Sequence, residues 1–247
     1  LFCAASVAVT ATLAGCSGES PDEMLASAKA FLAKRDLPAA TIQLKNALAK
    51  NPNLAEGRLL LGQTLLENGD VNAAEVELRK ARDLKAPAEQ VSALLAKAML
   101  LQGKAKDVIA EFSTTSLSLP EQNADLKTTV GQAYAVSGDF DLARKSFEAA
   151  LTAKNDFAPA LLASARLRAG ESDIDGAMNV MVGLLLKSPE QFEAWLLKGD
   201  LQRIVRKNPE AIAAYEKALE IRPGLLNARA SLASIHLREQ KFDDAKK

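Results

Sequence analysis

Residues 192–225 read FEAWLLKGDLQRIVRKNPEAIAAYEKALEIRPGL. Two apolar-periodic runs flank the polar pair Arg206-Lys207, and Pro223 closes the second run because proline cannot continue a helix. Small residues stand at Gly199, Ala211 and Ala218, with bulky Trp195 and Tyr215 beside them. Such a pattern suits two helices crossing closely: small side chains let the backbones approach, and large ones fill the space alongside.

The same unit recurs along the chain. Frames starting at 21, 55, 89, 124, 158, 192 and 226 align with a single one-residue insertion before the fourth. Their eighth position holds Ala28, Gly62, Ala96, Gly131, Ala165, Gly199 and Ala233. Their twentieth holds Ala40, Ala74, Val108, Ala143, Ala177, Ala211 and Ala245, and the twenty-fourth holds the fillers Leu44, Leu78, Phe112, Phe147, Met181 and Tyr215. Pro189 and Pro223 lie 34 residues apart, and the pairs Gly69-Asp70 and Gly138-Asp139 lie 69 apart. The third frame departs most, with Val108, Thr115 and a Ser/Thr run from Ser113 to Ser118, which predicts a short or frayed second helix. Asn155 replaces the expected proline in the fourth. The seventh reaches Lys247 inside its second helix without a polar capping element, so the protein is expected to continue beyond it.

Composition agrees with an all-α chain. Of 247 residues, 46 are alanine and 13 glycine, and only 11 are aromatic, which suits close helix crossings and argues against a β-sandwich or barrel. Lys+Arg and Asp+Glu are equal at 31 each, so no basic excess points to nucleic acid.

Both cysteines, Cys3 and Cys16, fall in the first 16 residues. Residues 1–14 carry no charge and are too few to span a bilayer, but they have the length of a signal-peptide apolar region whose basic start is missing. Leu13-Ala14-Gly15-Cys16 resembles a bacterial lipobox, which implies cleavage before Cys16 and its acylation, with residues 16–20 as lipidated cysteine and tether and 1–15 as signal peptide. Two acyl attachments suffice for stable anchoring. Ser17 after the cysteine implies delivery to the outer membrane. The mature chain then has no second cysteine for a disulfide or thiolate site.

Catalytic signatures are absent. No phosphate-binding or nucleophile-elbow motif occurs, and the single histidine, His236, falls where a bulky core residue is expected, there satisfied by one hydrogen bond. No enzyme activity, cofactor, metal or small-molecule substrate is expected.

The 34-residue pattern resembles the tetratricopeptide repeat, which implies an all-α, right-handed superhelical solenoid of antiparallel helix pairs over residues 21–247. The resemblance implies a concave groove lined by the first helices. Its ninth positions are Lys29, Gln63, Lys97, Gln132, Arg166 and Asp200, and its fifth positions include Leu25, Leu59, Leu162 and Leu196. A polar row beside an apolar row suits an extended peptide. The carboxylate clamp of chaperone-binding relatives requires asparagines that are missing here. Residues 13–85, including Leu25-Ala26-Ser27-Ala28-Lys29, Thr41-Ile42-Gln43-Leu44-Lys45-Asn46 and Asn51-Pro52, are most similar to the repeat lipoprotein of PEP-CTERM (exosortase) systems. That likeness implies a periplasm-facing lipoprotein scaffold that contacts envelope or exopolysaccharide machinery and meets the membrane only through its lipid. Alternatives are a lipoprotein of outer-membrane-protein or cell-wall assembly, or the docking module of a longer enzyme.

Overall fold

The computed structural model describes residues 19–238. Leu13 to Cys16, the tether to Gly18 and Ala245 lie outside them. The described residues form thirteen helices and no strand: α1 (Pro21–Ala33), α2 (Leu37–Lys50), α3 (Ala55–Glu67), α4 (Val71–Asp83), α5 (Ala88–Leu101), α6 (Ala105–Phe112), α7 (Pro120–Ser137), α8 (Phe140–Ala153), α9 (Ala158–Gly170), α10 (Ile174–Lys187), α11 (Phe192–Ile204), α12 (Asn208–Ile221) and α13 (Leu226–Arg238).

Each odd helix packs on the even helix that follows it, and each even helix on the next odd one, and α5 and α7 additionally pack on each other beside the short α6. From α3 to α11, successive odd helices also touch one another, so the first helices of the repeats form one continuous face. Local sequence sets the helix limits. Ser20 and Glu23 form a reciprocal capping box on α1, and Asp36, Asp70 and Asp173 accept the third backbone N–H of α2, α4 and α10. The residue just before each of these aspartates, and its counterparts in the other repeats, adopts a left-handed backbone: Arg35, Gly69, Gly103, Gly138, Ser172 and Arg206. Glycine meets that demand freely in three repeats, whereas Arg35, Ser172 and Arg206 meet it under strain.

The small-residue positions are the crossing points. Ala28, Ala96 and Ala165, and Ala40, Ala74, Val108, Ala143, Ala177 and Ala211, are all fully buried. At the three glycines there is no room even for a methyl group. A Cβ on Gly62 would lie 2.6 Å from Leu78, one on Gly131 2.5 Å from Phe147, and one on Gly199 2.6 Å from Tyr215. Successive repeats are also latched by a side chain near the start of an odd helix reaching back to a proline carbonyl. Arg58 donates to Pro52, Trp195 to Pro189 (2.7 Å) and Arg229 to Pro223 (3.0 Å).

The third repeat is short but tied. α6 has only 8 residues, and residues 113–119 follow it without helix. Glu89 accepts the Ser118 N–H (3.0 Å) and hydroxyl (2.7 Å), Asn123 accepts the Leu117 N–H (3.1 Å), and the Lys127 ammonium donates to the Thr115 carbonyl (2.6 Å). Leu117 is buried in the core. The chain regains the frame by starting α7 at Pro120, a full turn before the frame position at 124, which gives an 18-residue helix.

Candidate functional site

The ninth-position side chains stand on successive odd helices with distinct fates. Lys29 pairs with Glu56 at 2.6 Å, an exposed bridge of little energetic weight, and Gln63 donates to Glu67 at 3.1 Å. Asp200 is engaged: it accepts the buried Tyr215 hydroxyl at 2.7 Å. Burial, and then this bond, raise the Tyr215 pKa. Asp200 therefore also serves the α11–α12 crossing.

The fifth-position row also differs from expectation. Leu25, Leu59 and Leu162 are 6%, 5% and 5% exposed and belong to the core, and Leu196 packs half-buried against the cluster containing Tyr215. The reason is helical phase. Position five lies one turn before the small residue at position eight and shares its inward face. These leucines are core residues first. Leu59 also floors a cavity.

Among the described residues, two cavities open on the first-helix face. One, of about 420 Å³, is bounded by Leu59, Leu60 and Gln63 of α3, Gln90, Ala93 and Leu94 of α5, Glu121, Gln122 and Asp125 of α7, and Phe157 before α9. Glu121 and Gln122 stand on the extra turn of α7, so the irregular third repeat builds this wall. Glu121 pairs with Lys154 at 3.0 Å. The Asp125 carboxylate receives no hydrogen bond or ion pair among the described residues. Burial raises its pKa, partly offset by attraction from Lys97 and reinforced by Glu121. The second cavity, of about 330 Å³, lies between α7 and α9, with Phe147 and Ala163 inside and Gln132, Val136, Phe140 and Arg166 around it.

Away from this face, α4 carries a polar network. Glu75, 7% exposed, accepts from Arg79 (2.9 Å), Gln102 (2.8 Å) and Lys104 (2.6 Å). Burial alone would raise its pKa, but these donors outweigh it and hold it at about 2. Arg79 and Arg82 share Glu111, which fastens α4 to the third repeat. His236 is half-buried and its Nδ1 has no hydrogen-bond partner among the described residues. The described residues contain no cluster of three His, Cys, Asp or Glu side chains able to hold a metal, and no helix long and apolar enough to cross a membrane. Sequence reading missed the cavity at Asp125. The Ser/Thr run and the one-residue insertion marked the irregular repeat without showing what it encloses.

Three family models described as tetratricopeptide repeat match residues 31–98, 124–157 and 162–225. No curated protein matches the sequence. Among solved structures, a tetratricopeptide repeat protein from Parabacteroides merdae is 20% identical, with 92% of this chain and 90% of that one covered and a TM-score of 0.69. Pseudomonas aeruginosa PilF is 17% identical over 87% of this chain and 97% of its own (TM-score 0.64). PilW, a type IV pilus biogenesis factor, is 16% identical over 86% and 98% (TM-score 0.69). At these identities the likeness is one of fold.

Proposed function

We propose that this chain, a tetratricopeptide-repeat protein, is a non-catalytic scaffold whose first-helix face holds segments of other proteins. We further propose that it does so from the periplasmic side of a bacterial envelope, anchored through acylated Cys16, within an exopolysaccharide or exosortase-type system. The observation that carries the scaffold reading is the continuous odd-helix face. Gln63, Lys97 and Arg166 are exposed on it and Gln132 is half-buried, so polar side chains recur at one repeat's spacing beside two apolar-floored cavities. An extended peptide needs that combination, with hydrogen-bonding groups for its backbone and hollows for its side chains. The anchor rests on Leu13-Ala14-Gly15-Cys16 at the end of an uncharged run with a polar tether after it. The exosortase-type setting rests on the likeness of residues 13–85 alone.

Photo-crosslinking in cells separates these layers. p-Benzoylphenylalanine at Gln63 or Gln132 is expected to capture protein partners, whereas the same probe at exposed Lys45 or Lys145 on even helices is not. Equal capture from both faces, or none from the first-helix face, removes the scaffold reading. Cys16→Ala, or globomycin treatment, is expected to leave unprocessed or unlipidated precursor. Unchanged processing and fractionation removes the anchor while leaving the scaffold intact. Genes for an exosortase or glycosyltransferases beside this one support the envelope system, and a neighbourhood without them counts against it.

A further inference from the structure

Of the two carboxylates lining the larger cavity, Asp125 is the one to which no described residue donates. Its neighbours explain why this matters. The floor is apolar (Leu59, Leu60, Leu94 and Phe157) and partly desolvates the half-buried carboxylate, and the other acid at the rim, Glu121, is already taken by Lys154. Lys97 of α5 faces Asp125 and attracts it, but from beyond ion-pair distance. A charged oxygen pair over an apolar floor needs a cationic or N–H donor, and an occupant can bring one. Gln63, Gln90 and Gln122 surround the same space, and each amide offers both a donor and an acceptor. That dual capacity matches the alternating N–H and C=O groups of an extended peptide better than it matches any single small cation.

We propose that this pocket receives an extended segment of a partner protein carrying a lysine or arginine beside an apolar residue. The cationic side chain pairs with Asp125, the apolar one rests on Leu59, Leu60, Leu94 and Phe157, and the glutamines hold the backbone. The inference rests on the reading of the first-helix face as a protein-binding surface, and it names the chemistry of the segment bound. The polarity is opposite to that of a site built for acidic peptides. Charge complementarity fixes which segments are accepted more than how tightly they are held.

The test is selection of a displayed random dodecapeptide library on the full chain, followed by fluorescence anisotropy with the enriched peptides. Enriched sequences are expected to place Lys or Arg within two residues of Leu, Ile or Phe. Asp125→Asn is expected to weaken their binding about tenfold to a hundredfold, Gln90→Ala less, and Arg166→Gln in the other cavity not at all. A melting curve of Asp125→Asn guards against a merely structural role. With no donor among the described residues, the neutral amide should melt at the same temperature as the native protein or higher, whereas a structural Asp125–Lys97 pair would make it melt lower. Enriched peptides without basic residues, binding indifferent to Asp125→Asn, or a lowered melting temperature each overturn the proposal. Acidic peptides that depend on Arg166 would overturn it while keeping the protein-binding face. An absence of any binding peptide, together with an absence of crosslinks from Gln63 and Gln132, would remove both.

Discussion

The sixth repeat and the third obey one frame and are held together in different ways. In the sixth, α11 and α12 close on Gly199 beneath the Tyr215 ring, and apolar contact does nearly all the holding. In the third, half of the second helix is missing. Glu89, Asn123 and Lys127 hold the connecting residues, and Glu75, Arg79, Lys104 and Glu111 hold the repeat to its predecessor. The lesson is that a helical repeat survives losing its own packing when its neighbours supply polar ties, since each unit is stabilised mainly across its interfaces. The loss also makes room. The early turn of α7 that restores the frame is the wall of the larger cavity.

The largest expected effect falls on the packed repeat. Gly199→Leu forces side-chain atoms into the fully buried Tyr215 ring and should cost about 3 kcal/mol in chemical denaturation, while Ser116→Leu on the exposed connection should stay within about 0.5 kcal/mol. Similar values for the two would erase the contrast.

Next comes the polar tie. The folded Glu75 pKa of about 2 lies below its ordinary value of 4.5, so its contribution is complete above pH 4.5 and fades as pH falls toward 2, because the unfolded chain takes up the proton first. Glu75→Gln should remove roughly 2 kcal/mol at neutral pH and flatten the acid limb of a stability–pH curve. Hydrogen exchange at pH 3 should show α5 and α6 opening before α11 and α12. The reverse order would mean that the network does not hold the third repeat.

A smaller effect, of opposite sign, belongs to the turn of the sixth repeat. Arg206 has a φ of 61°, where Gly138 in the fourth repeat has 87°. Arg206→Gly should therefore raise stability by about 1 kcal/mol, read as a higher denaturation midpoint at unchanged slope. The most local effect is Glu89→Ala, expected to speed amide exchange at Ser118 and Leu119 while leaving α11 and α12 unaltered.

Much of this architecture was legible because it is steric. Ala28, Gly62, Ala96, Gly131, Ala165 and Gly199 are small for a reason any sequence can display: a partner helix lies against them. The left-handed turn is legible in residue type only at its glycines, Gly69, Gly103 and Gly138. Arg35, Ser172 and Arg206 occupy the same conformation without a residue type that announces it. The candidate site was half legible. The ninth-position pattern puts Gln63 on the first-helix face, but the fifth-position pattern also puts Leu25 and Leu162 in the groove, where their helical phase turns them inward. Asp125 and Gln122 escaped notice because their meeting with Leu59 and Phe157 depends on where α7 begins, a displacement of one turn that no fixed period records.

From α3 to α11 the first helices touch their counterparts in adjacent repeats, while among the described residues no second helix packs comparably on the next second helix. Such a coil is stiff along its inner edge and compliant along its outer one, so its soft deformation is a change of pitch. An object seated between α3, α5 and α7 bridges two inner joints at once, and would act there as a splint.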